Sequence, residues 1–371
     1  MTNSNNFENL PLKQKIGQLF FIGLPTAEID GQTRYLLETI QPGGICLFSR
    51  NIKTAAQTRK LLDDARKMLP VEPFLALDQE GGLVDRLRRV ITPMPSVKTI
   101  TEKRNPEFVR KLAENTAEIV RILGFNMNFA PVVDVIDERR EKFVNGLYSR
   151  GFGASKEEVV NLAGIYLETL QKSGCLGTIK HFPGYGATEV DSHEELPQVN
   201  LTKEELFAND LYPYQNLLKT HDIKAVMVGH AAYPQIDLQE TDADGRFLPS
   251  SLSFNFITKL LRRDLQFQNL VLTDDLEMGA IIKNYGIGEA AKMAIKAGND
   301  FLLICANTDA MYRAFEAVQT AVDSGEIPPE RIEESLERIA RNKAELSPSL
   351  DFDEKRIEEI SVEIKNLNGM C

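Results

Sequence analysis

Residues 174–197 read GCLGTIKHFPGYGATEVDSHEELP, and their reading settles how the rest of the chain folds. As far as Ile179 they form a nearly unbroken apolar run of strand length, the pattern of a strand covered on both faces. The run ends at Lys180 and His181, and a loop rich in glycine and proline then carries Asp191 and His193 beyond the strand end. A basic group, two imidazoles and a carboxylate on one strand-end loop point to a catalytic site. The competing reading is a solvated loop with polar residues by chance.

Outward from this stretch, the same unit recurs. Strand-length apolar runs are predicted at 19–23, 44–48, 74–77, 126–129, 176–180, 224–228, 270–273 and 300–305. Helical patterns are predicted between and after them, at 28–39, 55–68, 106–123, 156–173, 203–220, 254–264, 287–297 and 310–324. Asn307-Thr308-Asp309 is a candidate N-cap cluster for the last helix. Eight strands, each followed by a helix, give an α/β fold of the (β/α)8 TIM-barrel class. A doubly wound open sheet would usually carry a glycine-rich phosphate turn after its first strand, and Ile22-Gly23-Leu24-Pro25 does not supply one. Two charged amphipathic segments come next, 328–346 and 351–366. The expected organisation is one barrel domain over 1–346 and a helical tail over 347–371, packed on the barrel or extending from it.

Composition narrows the function classes. With 371 residues, 43% hydrophobic and 26% charged, the chain can bury one large core. A net charge of −11 argues against a nucleic-acid surface and against anionic membranes. The first residues lack a basic segment followed by an apolar one, so no secretory signal is expected, and no apolar run reaches membrane-spanning length. Cys46, Cys175 and Cys305 sit in apolar runs and Cys371 ends the chain, with no metal-ligand spacing among them, so a reducing cytoplasm is expected.

In a TIM barrel the active site lies at the C-terminal ends of the strands. The residues just beyond the predicted strands gather there: Asp78 and Arg86, Asp134 and Arg150, Lys180 and His181, Asp191 and His193, His230, and Asp274 with Asp275. Neighbouring residues on extended backbone point opposite ways, so one of the last two faces the barrel axis. Asp274 is read as the catalytic carboxylate. Asp275 is read as a helix N-cap or a supporting acceptor, turned toward the following helix. His230 and Met278 are placed behind the catalytic groups. The spacing of Asp191 and His193 lets the carboxylate hold one imidazole nitrogen while the other handles a proton. A metal site is the competing use of these residues, but the spacings common in metal-dependent barrels are missing, and neither metal nor cofactor is expected.

These motifs resemble glycoside hydrolase family 3, in its β-N-acetylglucosaminidase branch. KHFPGYGATEVDSHEELP (180–197) is similar to that branch's K-H-F-P-G-x-G-x4-D-S-H-x2-L-P pattern, and LDQEGGLVDR (77–86), NFAPVVDV (128–135) and TDDLEM (273–278) resemble three further family motifs in the same order. Tyr185 departs from the pattern, which usually has histidine there. The resemblance implies that Asp274 is the nucleophile, His193 the acid/base and Asp191 its orienting partner. It assigns Asp78, Arg86, Arg150, Lys180 and His181 to the terminal sugar, with Arg150 near the 2-acetamido group. The implied activity is exo-acting, retaining removal of N-acetylglucosamine from a saccharide or muropeptide in cell-wall recycling. A glycosyl phosphorylase, a β-glycosidase of other specificity and a non-catalytic sugar-binding barrel are the competing functions.

Overall fold

The eight apolar runs form one parallel sheet that closes on itself. Its strands, in chain order, are Phe20–Gly23, Gly44–Cys46, Phe74–Leu77, Met127–Asn128, Leu176–Phe182, Ala225–Val228, Leu270–Asp275 and Phe301–Ile304. Each pairs with its sequence neighbours, and the last pairs with the first. The chain is therefore a TIM barrel. The structure is a computed structural model that describes residues 7, 9–143, 146–192 and 194–370; His193 and Cys371 lie outside them.

Side-chain size sets how the barrel fills. Phe21 meets Phe129 and Phe301 edge-on, with ring centroids 5.2 and 5.4 Å away. Gly44 is the register partner of Phe21 on the next strand. A Cβ there would stand 2.4 Å from the Phe21 ring, so the small residue makes room for the large one. Under this layer Lys343 is buried, its amine 5.6 Å from the Phe74 ring centre and 2.9 Å from Gln18 Oε1. Burial pushes this amine down to about 7.

The helices begin where capping residues stand. Asn105 accepts from the Glu107 N–H ahead of Pro106–Ile122, Ser155 from Glu158 ahead of Lys156–Lys172, and Asn307 from Asp309 and Ala310 ahead of Thr308–Asp323. The helix expected over 203–220 is interrupted. It runs as Lys203–Glu205, a wide π-type turn Leu206–Asp210 and Tyr212–Thr220. Pro213 has no N–H to give to the preceding turn, and buried Asp210 is held by Arg140 at 2.7 and 2.9 Å. A hairpin of Gln79–Gly81 and Val84–Asp85 also goes beyond the sequence reading. Gly81 and Gly82 turn it at φ +95° and +58°, a conformation that side chains with a Cβ rarely adopt.

The last helix, Glu354–Met370, buries Ile357, Ile360, Ile364 and Leu367 and packs on Pro106–Ile122. Arg356 clasps Glu118 through two bonds of 2.6 and 2.7 Å. The helix also reaches the loop after the hairpin: Ser361 Oγ accepts from the Thr92 N–H at 3.1 Å, and Asn368 donates to the Pro93 carbonyl at 2.9 Å. Among the described residues, no helix is long and apolar enough to cross a membrane.

Candidate active site

A cavity of about 370 Å³ opens at the C-terminal ends of the strands. Asp78, Arg86, Arg150, Lys180, His181, Asp191, Asp274, Asp275 and Met278 all border it. Residues distant in sequence thus converge on one rim. His193 is the one predicted site residue outside the described residues.

One wall is a ladder of alternating charges. Lys180 Nζ lies 2.7 Å from both Asp78 Oδ1 and Glu80 Oε1. Arg150 grips Glu80 through Nε and Nη2 at 2.8 and 2.9 Å, and Arg86 reaches Asp78 at 3.3 Å. Burial alone would raise both carboxyl groups. The Lys180 and Arg86 charges outweigh it at Asp78, and Arg150 and Lys180 hold Glu80 down to about 2. Burial likewise works against the Lys180 charge, and Asp78 with Glu80 raise it past the ordinary lysine value. Both carboxyl groups are therefore ionised in neutral solution. The ladder's fixed donors and acceptors suit a ligand rich in hydroxyls, and the buried Arg86 Nε has no hydrogen-bond partner among the described residues.

Glu80 is missing from the sequence-based site, although it stands two residues from Asp78 on extended backbone, the spacing that puts both side chains on one face. The sequence places Asp134 on the rim without a role. Its Oδ2 accepts from His181 Nδ1 at 2.8 Å, and its Oδ1 accepts from the Tyr185 N–H at 2.6 Å. The carboxylate thus accepts at Nδ1 and fixes the orientation of the His181 ring.

Strand seven ends in two carboxylates with different surroundings. Burial would raise Asp274, but the nearby His181, His230 and Lys180 and the Asp275 N–H, at 2.8 Å from Asp274 Oδ1, hold it below the usual carboxylate value. Asp275 is pushed up to about 7, mainly by burial and also by the charges of Glu277 and Asp274. Its Oδ1 accepts from the Glu277 N–H at 3.0 Å. The N-cap expectation for Asp275 does not hold: the short helix Gly279–Ile282 is preceded by Met278, and Asp275 borders the cavity as well. His230 stands behind, its Nε2 3.0 Å from the Asp275 carbonyl and its Nδ1 2.7 Å from Ser251 Oγ. A carbonyl only accepts, so Nε2 carries the hydrogen.

The loop that leaves strand five also borders the cavity. Its described part is docked: the Ser192 N–H donates to Tyr185 Oη at 3.1 Å, and the Ser192 carbonyl accepts from the Ala280 N–H at 3.0 Å. Lys283 Nζ donates to the Glu194 carbonyl. Cys46 and Cys305 also line the cavity. Among the described residues, no three His, Cys, Asp or Glu side chains converge as metal ligands do.

A barrel whose rim gathers an ionised carboxylate, a docked polar loop and a ladder of fixed charges around one cavity has the form of a glycoside hydrolase site. Comparison with known proteins gives the family. Residues 11–342 match the glycosyl hydrolase family 3 N-terminal domain. The chain is 34% identical to a β-hexosaminidase of Psychromonas ingrahamii over 283 residues, 75% of this chain and 80% of the relative. It is 33% identical to a β-hexosaminidase of Pseudomonas aeruginosa over 312 residues, 82% of this chain and 86% of the relative. A solved family 3 β-N-acetylglucosaminidase from a Paenibacillus species superposes with a TM-score of 0.85 at 32% identity, covering 96% of this chain and 69% of that one. The chain belongs to glycosyl hydrolase family 3 and is a glycoside hydrolase.

Proposed function

We propose that the protein is an exo-acting, retaining β-N-acetylglucosaminidase that removes a terminal β-linked N-acetylglucosamine from a saccharide. Asp274 attacks the anomeric carbon and forms a covalent glycosyl-enzyme. His193, oriented by Asp191, protonates the departing oxygen and then deprotonates the incoming water. Asp78, Arg86, Arg150, Lys180 and His181 hold the sugar, and no metal takes part. The observation that carries this reading is Asp274: a carboxylate at a strand end, beside Lys180, His181 and His230, on the cavity that also holds the Asp191–Ser192 segment. The names of the relatives support N-acetylglucosamine as the sugar. The family resemblance supports muropeptide fragments and wall recycling in the cytoplasm as the setting.

The test is hydrolysis of an aryl N-acetyl-β-glucosaminide by wild type, Asp274→Ala and His193→Ala. Proton NMR of the first-formed sugar reports the anomer, and a parallel run in phosphate buffer detects any sugar 1-phosphate. We expect the β-anomer, hydrolysis in both buffers and loss of turnover in the Asp274 variant. Near wild-type activity of Asp274→Ala, or an α-anomer formed first, would overturn the mechanism.

A further inference from the structure

Tyr185 is built as a rigid post. Its side chain is buried, its N–H is fixed on Asp134, and the carbonyl before it accepts from Tyr233 Oη at 3.0 Å. Its own carbonyl takes both the N–H and the hydroxyl of Thr188, at 3.1 and 2.9 Å, which closes the turn leading into the loop. The ring lies 5.7 Å from that of His181, on the wall of the cavity that holds Asp274. From there the hydroxyl accepts from the Ser192 N–H. Ser192 is pinned on its other side by Ala280, six residues beyond Asp274 in the segment that strand seven opens into.

We propose that Tyr185 is a positioning residue for acid catalysis, its hydroxyl holding the Asp191–Ser192 segment of the acid/base loop at the rim of strand seven. This rests on the proposed glycosidase mechanism and deepens it. Tyr185 touches neither sugar nor proton in this role. It acts through the loop. A phenylalanine keeps the ring and its packing but cannot accept from Ser192, so the loop would stay folded and lose its register over the cavity. Burial, with the Asp274 charge, raises the phenol above its ordinary value, so the hydroxyl keeps its proton and its geometry through the working pH range.

The experiment compares kcat/KM of wild type, Tyr185→Phe and Asp274→Ala on a series of aryl N-acetyl-β-glucosaminides with graded leaving groups. A 2,4-dinitrophenolate leaves without protonation, whereas a phenol with high pKa needs the acid. For Tyr185→Phe we expect a loss of roughly 10- to 100-fold on the poorest leaving group and little change on the dinitrophenyl substrate, giving a steeper dependence on leaving-group pKa. Unchanged kcat/KM on the poorest leaving group would overturn the proposal, and so would equal loss across the series, which marks a damaged cavity instead of a misplaced acid. A thermal melt of the variant reports whether it folds; if Tyr185→Phe melts early, the slope of the leaving-group plot still decides, because the fraction of folded enzyme scales every substrate alike. Asp274→Ala separates the two levels. Activity of that variant on the dinitrophenyl substrate would refute the nucleophile and leave the Tyr185 slope to stand or fall by itself.

Discussion

Replacing Glu80 by Gln should loosen the proposed sugar-binding wall without touching Asp274. Glu80 is buried and serves two cations, Lys180 through one bond and Arg150 through two. The amide keeps the shape but loses the charge, and its nitrogen faces a donor. The ladder of three cations and two carboxylates becomes three against one. Removing one partner of a buried ion pair typically costs about 3–5 kcal/mol. Glu80 gives a second measure. Its folded value of about 2, against an ordinary 4.5, corresponds to about 3 kcal/mol of stability at neutral pH. A carboxyl depressed in the fold contributes fully above the unfolded value and loses that contribution as pH falls through the folded one. The wild-type advantage over Glu80→Gln should thus be full above pH ~4.5 and shrink toward pH ~2. Urea unfolding at pH 7, 4 and 3 measures it, and KM on an aryl N-acetyl-β-glucosaminide should rise at least about tenfold, with kcat falling less. A variant with wild-type KM, or with a stability deficit that stays flat across that pH window, would refute the role given to Glu80.

Four other contacts carry expectations of their own. Asp134→Ala removes the acceptor of His181 Nδ1 and of the Tyr185 N–H, and kcat/KM should fall by roughly 10- to 100-fold in a steady-state assay. For Lys343 the sign reverses: a lysine lowered to about 7 leaves stability intact above the unfolded value near 10.5 and costs it as pH falls toward 7. Lys343→Met should therefore melt higher than wild type at pH 7, with the gain shrinking toward pH 10. Asp275, raised to about 7, contributes stability below the unfolded value near 3.8 that is lost as pH rises through 7, so Asp275→Asn should flatten the decline of melting temperature between pH 4 and 7. Ser361→Ala combined with Asn368→Ala frees the Thr92–Pro93 segment; we expect about 1–2 kcal/mol of lost stability by urea unfolding and a modest rise in KM.

The barrel is legible in the sequence because both faces of every strand are buried, so each strand announces itself as an apolar run bounded by turn residues. The apolar signal stops early at strands five and seven, which continue through Lys180, His181, Asp274 and Asp275, where charge hides an extended backbone. Glu80 and the hairpin escape notice for a related reason. Strands of two and three residues are too short for periodicity, and the glycine pair at the turn reads as a loop. The helix predicted over 203–220 is interrupted at Leu206–Asp210, in the turn before Pro213, a breaker that the amphipathic pattern outvotes. Asp134 is visible on the rim, but its role depends on His181, 47 residues away, and only the closed sheet brings the two together.

The pair at the end of strand seven shows what geometry adds to a motif. Asp274 and Asp275 are identical in chemistry and adjacent in sequence, and both are taken out of water, which raises either one. They part because alternation along the strand aims them differently. Asp274 meets the fields of His181, His230 and Lys180, while Asp275 meets Glu277 and Asp274 itself. At mildly acidic pH one is therefore an anion and the other a neutral acid, and an anion is what attack on an anomeric carbon requires. Lys180 and His181 come from strand five and His230 follows strand six, so the lowering of Asp274 depends on the closure of the barrel. Strand five also opens the loop that Tyr185 holds. One strand thus supplies part of the field that lowers the proposed nucleophile and the tether of the group proposed to act with it, which ties the two halves of the proposed site to a single element.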